Sequence, residues 1–403
     1  MDIETFCKRL PKVELHAHLN GSIRESTLVE LARERNVQLP TRFLVHEAEH
    51  RDPDKEAFFF NMKPRSLTEC FAIFDVIPRC VNDLMALRRI TKEVLEDAAN
   101  DNVAYIEIRT GPKVLLLDHR SVEAEYCTKK VYIETIVSIM EEFEKTDRKR
   151  YELDCDKANT QYIRLPLTPR LLISVDRSGT FDQAMENIQL AIEMSRSSEK
   201  KMIVGVELGG NPTRNNFRLF EPAFDIARKA GLPISIHCGE VPMAENEFGT
   251  DQALVKAYQE AVSVLQFKPD RLGHALLFSN SMMENLLEHP IPIECCPTSN
   301  VLTLELALHA EGDLLHGVKL HPQLGKWIEC GYPISINTDD SGLFCTNLTK
   351  EFLLVAKAYY VDEKKLASIL LNSVEQMFDP SEETKSLLRK EILGMNSRER
   401  AET

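Results

Sequence analysis

Short runs of apolar and β-branched residues recur eight times along this chain, and patterns of helical period separate most of them. The runs cover residues 13–19, 105–110, 171–177, 204–210, 234–240, 271–277, 291–299 and 333–340. Strands that alternate with helices pair in parallel through helical crossovers rather than as hairpins. Eight such units predict an α/β fold in which a parallel sheet closes as a (β/α)8 TIM barrel.

The interval between the first two strands is the longest in the chain and must contain several helices. It includes the aromatic residues 58–60. An insertion at this end of a barrel lies over the mouth, where ligands bind. We therefore expect a single barrel domain of residues 1–403, with residues 40–100 as a helical lid. Residues 145–159 are rich in charge without a clear period, which predicts an exposed loop.

The composition argues against several classes of protein. The 403 residues carry a formal net charge of −14, which disfavours binding to nucleic-acid phosphates. No stretch approaches the roughly 18 apolar residues of a membrane span, and the N-terminus has early acidic residues without the apolar core of a signal peptide. The cysteines are scattered without CxxC spacing, as expected for reduced thiols. We expect a cytoplasmic monomer that acts on a small molecule.

Two histidines of the first strand are spaced to bind one metal ion. Because side chains alternate along a strand, His16 and His18 point to the same face. Asp339, in the last run, could complete the site from a distant strand. Zn²⁺ accepts imidazole and carboxylate ligands together, and a catalytic site keeps one position open for water. The pattern indicates metal-assisted hydrolysis; the alternative is two strand histidines that are satisfied by backbone or carboxylate partners.

Other polar residues also end predicted strands, where the catalytic groups of such barrels lie. Glu240 follows His237 by three residues and could donate a proton to a substrate, although most glutamates are surface residues. His274 could orient a water and stabilise an oxyanion, or it could be a core histidine. Asp340 should point away from Asp339 and towards a ligand, or it could cap the following segment.

The seven remaining histidines lie in predicted loops or on helical faces. His309 and His316 are seven residues apart and share a helical face, which can suggest a second metal site. We expect all seven to be solvated instead. The other five are His46, His50, His119, His289 and His321.

Four segments together resemble the adenosine deaminase family. They are PKVELHAHLNG at residues 11–21, HCGE at 237–240, RLGH at 271–274 and NTDD at 337–340. The resemblance extends from about residue 10 to residue 378, nearly the full chain. It implies a (β/α)8 barrel that contains zinc, in agreement with the strand pattern.

The resemblance also implies a role for each motif residue. One zinc ion per chain would be bound by His16, His18, His237 and Asp339. Glu240 would donate a proton to N1 of a purine while a zinc-activated water attacks C6, and His274 would assist the water. Gly210 would contact the purine through its backbone, and Asp340 would bond the ring near N7.

Asn20 is the main indication of which purine is bound. Adenosine deaminases have Asp at this position of the family motif, and adenine deaminases tend to have Glu. A carboxylate there would repel a 5′-phosphate, whereas the amide of Asn20 can donate a hydrogen bond to it. The segment HAHLNG resembles the subgroup that acts on N6-methyl-AMP. This implies hydrolysis of N6-methyl-AMP, and of related N6-substituted purine nucleotides, to IMP and an amine.

Further substrate contacts are expected at the ends of the first three strands. The residues are His18, Thr110, Gly111, Pro112, Lys113 and Asp176. Lys113 and Thr110 could lie near the phosphate, although a basic residue after a strand is more often a solvated charge. Asn211 follows Gly210 where the family usually has Asp, so the geometry of the purine contact can differ.

Two alternatives to nucleotide deamination stay open at this point. The first is a plain adenosine deaminase, which converts adenosine to inosine and ammonia. The second is a relative that keeps the barrel and binds a ligand without turnover. The intact Glu240 and the absence of a signal peptide argue against the second alternative.

Overall fold

Eight strands form one parallel sheet in which each strand pairs with the next along the chain. The computed structural model describes residues 2–40, 67–156, 163–197, 201–306 and 313–402. The strands are β1 (Lys12–His18), β2 (Val103–Thr110), β3 (Thr168–Asp176), β4 (Ile203–Gly209), β5 (Ile234–Cys238), β6 (Arg271–His274), β7 (Ile293–Cys295) and β8 (Ile334–Ile336). The prediction of a (β/α)8 barrel is confirmed.

Helices connect the successive strands and bury one face each. On α7 (Phe181–Ser197), Ala184, Ile188 and Ala191 are buried at spacings of four and three residues, which places them on one side of the helix. None of the helices in the described ranges is long and apolar enough to cross a membrane. The helices are α1 (Ile3–Arg9), α2 (Glu25–Glu34), α3 (Leu67–Phe74), α4 (Ile77–Cys80), α5 (Leu84–Asn100), α6 (Lys129–Asp156), α7 (Phe181–Ser197), α8 (Glu221–Lys229), α9 (Gln252–Phe267), α10 (Asn280–Glu288), α11 (Pro297–Thr303), α12 (Leu314–Lys319), α13 (Leu324–Cys330), α14 (Leu348–Tyr359), α15 (Glu363–Glu375) and α16 (Glu382–Glu402).

The prediction of an exposed loop in the second crossover is wrong. Residues 145–156 continue α6 as a helix, while residues 157–159 lie outside the described residues. The buried face of α6 includes the charged residue Asp147, which weakens the apolar period of the sequence. Asp147 accepts a hydrogen bond from Arg164 Nη2 at 2.6 Å. An ion pair therefore replaces an apolar contact on this face.

The seventh strand is shorter than its apolar run. β7 ends at Cys295, and Pro297 opens α11, which occupies the rest of the run. Proline suits the first turn of a helix because an N–H there has no acceptor within the helix. As a result, α11 carries Ser299 and Asn300 beside the ends of β6 and β8, where both form buried hydrogen bonds.

The insertion after β1 is described in part. Residues 67–100 contain α3, α4 and α5, whereas residues 41–66, with the aromatic residues 58–60, lie outside the described residues. The helical lid of residues 40–100 and the single domain of residues 1–403 therefore stay predictions.

Closure of the barrel joins β1 to the segment that follows β8. The N–H of Asp339 donates to the carbonyl of His16 at 2.9 Å, and the N–H of His18 donates to the carbonyl of Asp339 at 2.9 Å. Ala17 and Asp339 form a parallel bridge between these hydrogen bonds. The first strand and the segment after the last strand are thus held side by side in a fixed register.

Charged side chains inside the barrel pair with one another. Arg271 Nε donates to Glu294 Oε1 at 2.6 Å, and Arg271 Nη2 donates to Glu107. Arg109 Nη2 donates to Glu294 Oε2 at 2.9 Å. Although burial acts to raise the pKa of Glu294, Arg109 and Arg271 hold it well below its ordinary value. Glu294 therefore stays ionised, and its ion pairs link the side chains of β2, β6 and β7.

Removing one member of this network should destabilise the fold strongly. We expect Arg271→Leu to lower the free energy of unfolding by about 3–5 kcal/mol, because Glu107 and Glu294 lose a cation in a buried environment. Urea denaturation followed by circular dichroism measures the change. Arg389→Leu is the control, since Arg389 pairs with glutamates at the surface and should leave the midpoint nearly unchanged. Equal midpoints for the two variants would contradict this role of Arg271.

Candidate metal centre and active site

Four side chains from distant parts of the chain converge at the carboxyl ends of the strands. His16 and His18 of β1, His237 of β5 and Asp339 after β8 offer ligand atoms that lie within 4.8 Å of one another. Nε2 of His18 lies 3.1 Å from Nε2 of His237. Oδ1 of Asp339 lies 3.3 Å from Nε2 of His16 and 3.4 Å from Nε2 of His18. The structure brings together the four residues that the sequence predicts as metal ligands.

Buried hydrogen bonds determine which ring nitrogen of His16 and of His237 faces the other ligand atoms. Nδ1 of His16 donates to Glu294 Oε2 at 2.6 Å. Nδ1 of His237 donates to the carbonyl of Leu208 at 2.9 Å. A neutral ring with a proton on Nδ1 carries a lone pair on Nε2. The Nε2 atoms of both rings therefore face the centre of the group as potential ligands.

The donor set fits a metal ion. Burial lowers the pKa of His18 and of His237 well below the ordinary value, so both rings are neutral, the form in which imidazole binds metals. Nε2 of His16 has no hydrogen-bond partner among the described residues. A cation at the centre would satisfy these nitrogens and the Asp339 carboxylate together.

Two site residues have backbone conformations that are rare for residues other than glycine. The φ angle is +63° at His274 and +62° at Asp339, in the left-handed region. Such conformations cost about 1–3 kcal/mol each and persist where surrounding contacts hold them. Pairing with β1 holds Asp339, and a 2.8 Å hydrogen bond from the N–H of Ala275 to the Gly273 carbonyl closes the turn at His274. The turns at both residues are thus fixed by backbone bonds.

Glu240 and His274 face the ligand cluster from the ends of β5 and β6. Nε2 of His274 lies 3.6 Å from Glu240 Oε1 and 4.0 Å from Asp339 Oδ2. Burial raises the pKa of Glu240, which favours the protonated carboxyl group. Oε2 of Glu240 has no hydrogen-bond partner in the part of the chain that the structure describes. One oxygen of this carboxyl group is thus available to a ligand.

Two glycines leave room for carboxyl groups at the mouth. A Cβ at Gly21 would lie 1.6 Å from Oδ1 of Asp340, so a larger residue would displace this side chain. Asp340 is buried, and burial together with the Asp339 carboxylate raises its pKa well above the ordinary value. Gly210 follows β4 with a φ angle of +91°, and a Cβ there would lie 2.5 Å from Oδ1 of Asp176. Both sites therefore require glycine.

The residues predicted to contact the sugar phosphate lie in turns at the mouth. Asn20 is half-buried in the turn after β1. Gly111 and Pro112 follow β2 and lead to Lys113, which is half-buried. Burial lowers the pKa of Lys113, while the nearby Asp176 acts in the opposite direction. Lys113 and Asp176 are therefore close enough to interact.

Two predicted substrate contacts already have protein partners. Oγ1 of Thr110 lies 2.9 Å from the hydroxyl of Tyr132 on α6, and both side chains are buried. Asp176 is exposed, and its Oδ1 accepts hydrogen bonds from the N–H of Ser178 at 2.8 Å and from its hydroxyl at 2.7 Å. Both residues lie at strand ends, but their polar side-chain atoms form hydrogen bonds with other residues of the protein.

Comparison with known proteins identifies the family. The family model described as adenosine deaminase matches residues 11–393. The chain belongs to the adenosine deaminase family. N6-mAMP deaminase of Arabidopsis thaliana is 33% identical over 94% of this chain and 95% of that protein. N6-Methyl-AMP deaminase of Bos taurus is 30% identical over 96% of this chain and 94% of that protein.

Solved structures of similar proteins have the same fold. The crystal structure of Arabidopsis N6-mAMP deaminase MAPDA gives a TM-score of 0.73 at 32% identity, covering 97% of this chain and 99% of that chain. Arabidopsis ADAL complexed with IMP gives a TM-score of 0.74 at 31% identity, covering 98% of this chain and 99% of that chain. Membership of the adenosine deaminase family makes this chain a hydrolytic deaminase.

Two residues that orient the candidate ligands of this deaminase lie outside the motifs from which the site was predicted. Glu294 of β7 accepts the Nδ1 proton of His16, and Ser299 Oγ of α11 donates to Asp339 Oδ2 at 2.7 Å. The sequence signal for the first is a glutamate that follows three apolar residues in the seventh run, residues 291–293. Serine in a helical turn is too common to single out the second.

The prediction that the seven other histidines are solvated is wrong for His321. This residue is 6% exposed, and Nδ1 accepts a hydrogen bond from the N–H of Leu324 at 3.0 Å. His289 and His316 are exposed, and His119 is half-buried beside a carboxylate. Three others lie outside the described residues, namely His46, His50 and His309.

Loss of the Ser299 hydroxyl should weaken metal binding. We expect Ser299→Ala to lower the affinity for Zn²⁺ by about 10- to 100-fold, because Asp339 loses the donor that holds Oδ2. Titration against a competing chelator measures the affinity. Ser373→Ala is the control, since its buried hydroxyl donates to the Ile369 carbonyl within α15. If both variants bind Zn²⁺ equally, Ser299 has no orienting role.

Proposed function

We propose that this deaminase hydrolyses N6-methyl-AMP, and related N6-substituted purine nucleoside monophosphates, to IMP and the free amine. The observation that carries the proposal is the neutral Asn20, which lies in the turn after β1, two residues after the candidate ligand His18. Relatives at 30–33% identity that are named N6-methyl-AMP deaminase support it. The IMP complex of Arabidopsis ADAL supports it further, since IMP would be the product.

His16, His18, His237 and Asp339 would hold one Zn²⁺ per chain. Three imidazole nitrogens and a carboxylate oxygen are ligands that Zn²⁺ accepts, and the bound ion would lower the pKa of a water to about 7, which supplies a nucleophile at neutral pH. The Nδ1 hydrogen bonds of His16 and His237 would keep their Nε2 atoms turned towards the ion. His18 has the most exposed of the three imidazoles and would also border the purine.

Glu240 would donate the proton that makes the purine electrophilic. Because burial raises the pKa of Glu240, its carboxyl group keeps a proton to higher pH than an exposed glutamate does. Transfer of this proton to N1 draws electrons from C6, the carbon that water attacks. As the tetrahedral adduct collapses, the C6–N6 bond breaks, the proton of the added hydroxyl passes to the amine, and the C6 carbonyl of IMP is left.

Three further residues would contact the purine or the attacking water. They are Asp340, Gly210 and His274. The raised pKa of Asp340 favours a protonated carboxyl group, which can donate a hydrogen bond to N7. The backbone of Gly210 would contact the purine, with no side chain in the way. His274 would assist the attacking water from the position of its Nε2, 3.6 Å from Glu240.

The charge at the mouth would select a 5′-phosphate. The amide of Asn20 can donate to a phosphate oxygen, whereas a carboxylate would repel it. Lys113, carried by the turn of Gly111 and Pro112, would add a positive charge. Thr110 and Asp176 would contact the substrate at the edge of this turn.

Three features of the whole protein belong to the same proposal. Residues 40–100 would cover the mouth as a helical lid on a single domain of residues 1–403. The protein would act as a monomer in the cytoplasm, where reduced cysteines persist. All ten cysteines are free thiols, which supports such a compartment.

Replacing Glu240 should remove the proton donor alone. We expect Glu240→Gln to lower kcat for N6-methyl-AMP by about 10²- to 10⁴-fold with unchanged zinc content, because the amide has no acidic proton. In the unmodified enzyme, kcat should fall as pH rises through the raised pKa of Glu240, since the acid form is the active one. Purine absorbance follows both. Glu288→Gln, at an exposed glutamate of α10, is the control, and a similar kcat in both variants would exclude Glu240 as the acid.

Asn20→Asp should change the preferred substrate. With N6-methyl-AMP, AMP and adenosine as substrates, we expect the unmodified protein to prefer the first. The variant should lose about 10²-fold or more in kcat/KM for the nucleotide and gain activity on adenosine, because like charges at the 5′ position cost several kcal/mol. Asn216→Asp is the control, because Asn216 caps a short helical turn, where Asp serves equally well.

The same panel separates the proposal from its rivals. Fast turnover of adenosine without turnover of either nucleotide would identify a plain adenosine deaminase. A zinc-loaded protein that binds IMP but turns over none of the three substrates would be a non-catalytic ligand-binding relative.

A further inference from the structure

Asn300 joins two buried histidines, one in the active site and one behind it. One terminal atom of its amide lies 3.0 Å from Nδ1 of His274, and the other lies 3.0 Å from Nε2 of His321. Asn300 is fully buried on α11, and His321 is 6% exposed. The three side chains form a continuous row that ends at the ring nitrogen facing Glu240.

The outer end of this row has a fixed direction. Nδ1 of His321 accepts hydrogen bonds from the N–H of Gln323 at 3.3 Å and of Leu324 at 3.0 Å. A ring nitrogen that accepts carries no proton. Burial lowers the pKa of His321 to about 3, so the ring is neutral at pH 7. Its single proton is therefore on Nε2.

This proton decides which way the amide of Asn300 points. The oxygen and nitrogen of an amide have nearly the same shape, so the network of donors and acceptors assigns them. The Nε2 proton of His321 needs an acceptor, and the Asn300 amide is the group placed at hydrogen-bond distance. As placed, Oδ1 lies at Nδ1 of His274 and Nδ2 lies at Nε2 of His321, so the donor network requires the amide to be turned over. In the required orientation the amide oxygen faces His321 and the NH2 group faces Nδ1 of His274. The opposite orientation would set two donors against each other.

We propose that Asn300 and His321 are positioning residues that keep the proton of His274 on Nε2. Because Nδ1 of His274 accepts from Asn300, the neutral ring presents an N–H to the oxygens of Glu240 and Asp339, which lie 3.6 Å and 4.0 Å away. In terms of the proposed function, on which this role rests, His274 donates a hydrogen bond to the attacking oxygen and does not act as its base.

A fixed donor at this position matches the charge that develops in the reaction. Negative charge grows on the oxygen that attacks C6, and a donor that is already aimed at it stabilises the transition state without reorganisation. A ring with a lone pair on Nε2 would repel the same oxygen. The row from His321 to His274 therefore acts on the rate of the chemical step more than on substrate binding.

The tautomer can be read directly in solution. In the zinc-loaded protein with ¹⁵N-labelled histidine, long-range ¹H–¹⁵N correlation spectra distinguish protonated from unprotonated ring nitrogens, and the spectrum of His274→Gln assigns His274. We expect both His274 and His321 to carry a proton on Nε2 and none on Nδ1. A protonated Nδ1 of His274 in the unmodified protein would overturn the proposal, whether or not any nucleotide is turned over.

Asn300→Asp replaces the NH2 donor with a second acceptor of nearly the same size. We expect a proton to appear on Nδ1 of His274 in this variant. Asn187→Asp is the control: Asn187 is also buried on a helix, where its NH2 group donates to the Ser174 carbonyl at 3.0 Å, and the His274 signals should not move. Unchanged His274 signals in Asn300→Asp would also overturn the proposal.

Two substitutions of His321 distinguish the effect of its Nε2 proton from the effect of its packing. Gln can place an NH2 donor where Nε2 lies, whereas Asn reaches only the position of Nδ1. We expect His321→Asn to lower kcat for N6-methyl-AMP about 10-fold or more with little change in KM, and His321→Gln to stay within about threefold of the unmodified protein. Equal kcat values for the two variants would assign His321 to packing alone. If N6-methyl-AMP is no substrate, the proposed function fails while the spectra still decide the tautomer.

Discussion

Closure of the barrel is the constraint on which the site depends. Asp339 and the strand that carries His16 and His18 exchange two backbone hydrogen bonds, so the spacing of these residues is set by strand pairing and not by a flexible loop. The left-handed backbone of Asp339 is tolerated because pairing holds it on both sides. Three of the four candidate ligands, His16, His18 and Asp339, come together when the first and last strands meet, and the sheet between them places His237 on β5. Folding of the sheet and assembly of the ligands are therefore one event.

The ion pairs inside the barrel extend this rigidity to the side chains. Oε1 of Glu294 accepts a hydrogen bond from Arg271, and Oε2 accepts from both Arg109 and Nδ1 of His16. A carboxylate buried without these cations would take up a proton and become a weaker acceptor for the N–H of His16. The interior charges thus have two effects that cannot be separated: they stabilise the packing of the strands, and they keep one ligand ring turned in a fixed direction.

The features of the fold and of the site that depend on periodicity and residue spacing could be predicted from the sequence. The eight apolar runs that alternate with helical patterns predict the barrel. The spacing of His16 and His18 predicts two candidate ligands on one strand, and both lie at the end of the barrel where the strand ends meet. Asn300 and His321 could not be found this way, since they act through other side chains at no fixed spacing from the ligands. The charged half of α6 could not be predicted for a related reason. In the sequence its charges are typical of a solvated segment, whereas in the fold Asp147 is buried and pairs with Arg164, which lies beyond the helix.

The proposed position of the His274 proton explains how similar histidines can have different roles within one site. His16 and His237 each have an acceptor behind the ring, a carboxylate or a carbonyl, so the proton lies on Nδ1 and the inner nitrogen has a lone pair for a cation. With the NH2 group of Asn300 behind it, His274 has the reverse arrangement, and its inner N–H is suited to an oxygen and not to a metal. The hydrogen-bonding group at Nδ1 of each histidine then determines whether the ring acts as a metal ligand or as a hydrogen-bond donor. The distance of the ring from Asp339 does not. Exchanging an acceptor for a donor at that position would change one role into the other with no movement of the backbone.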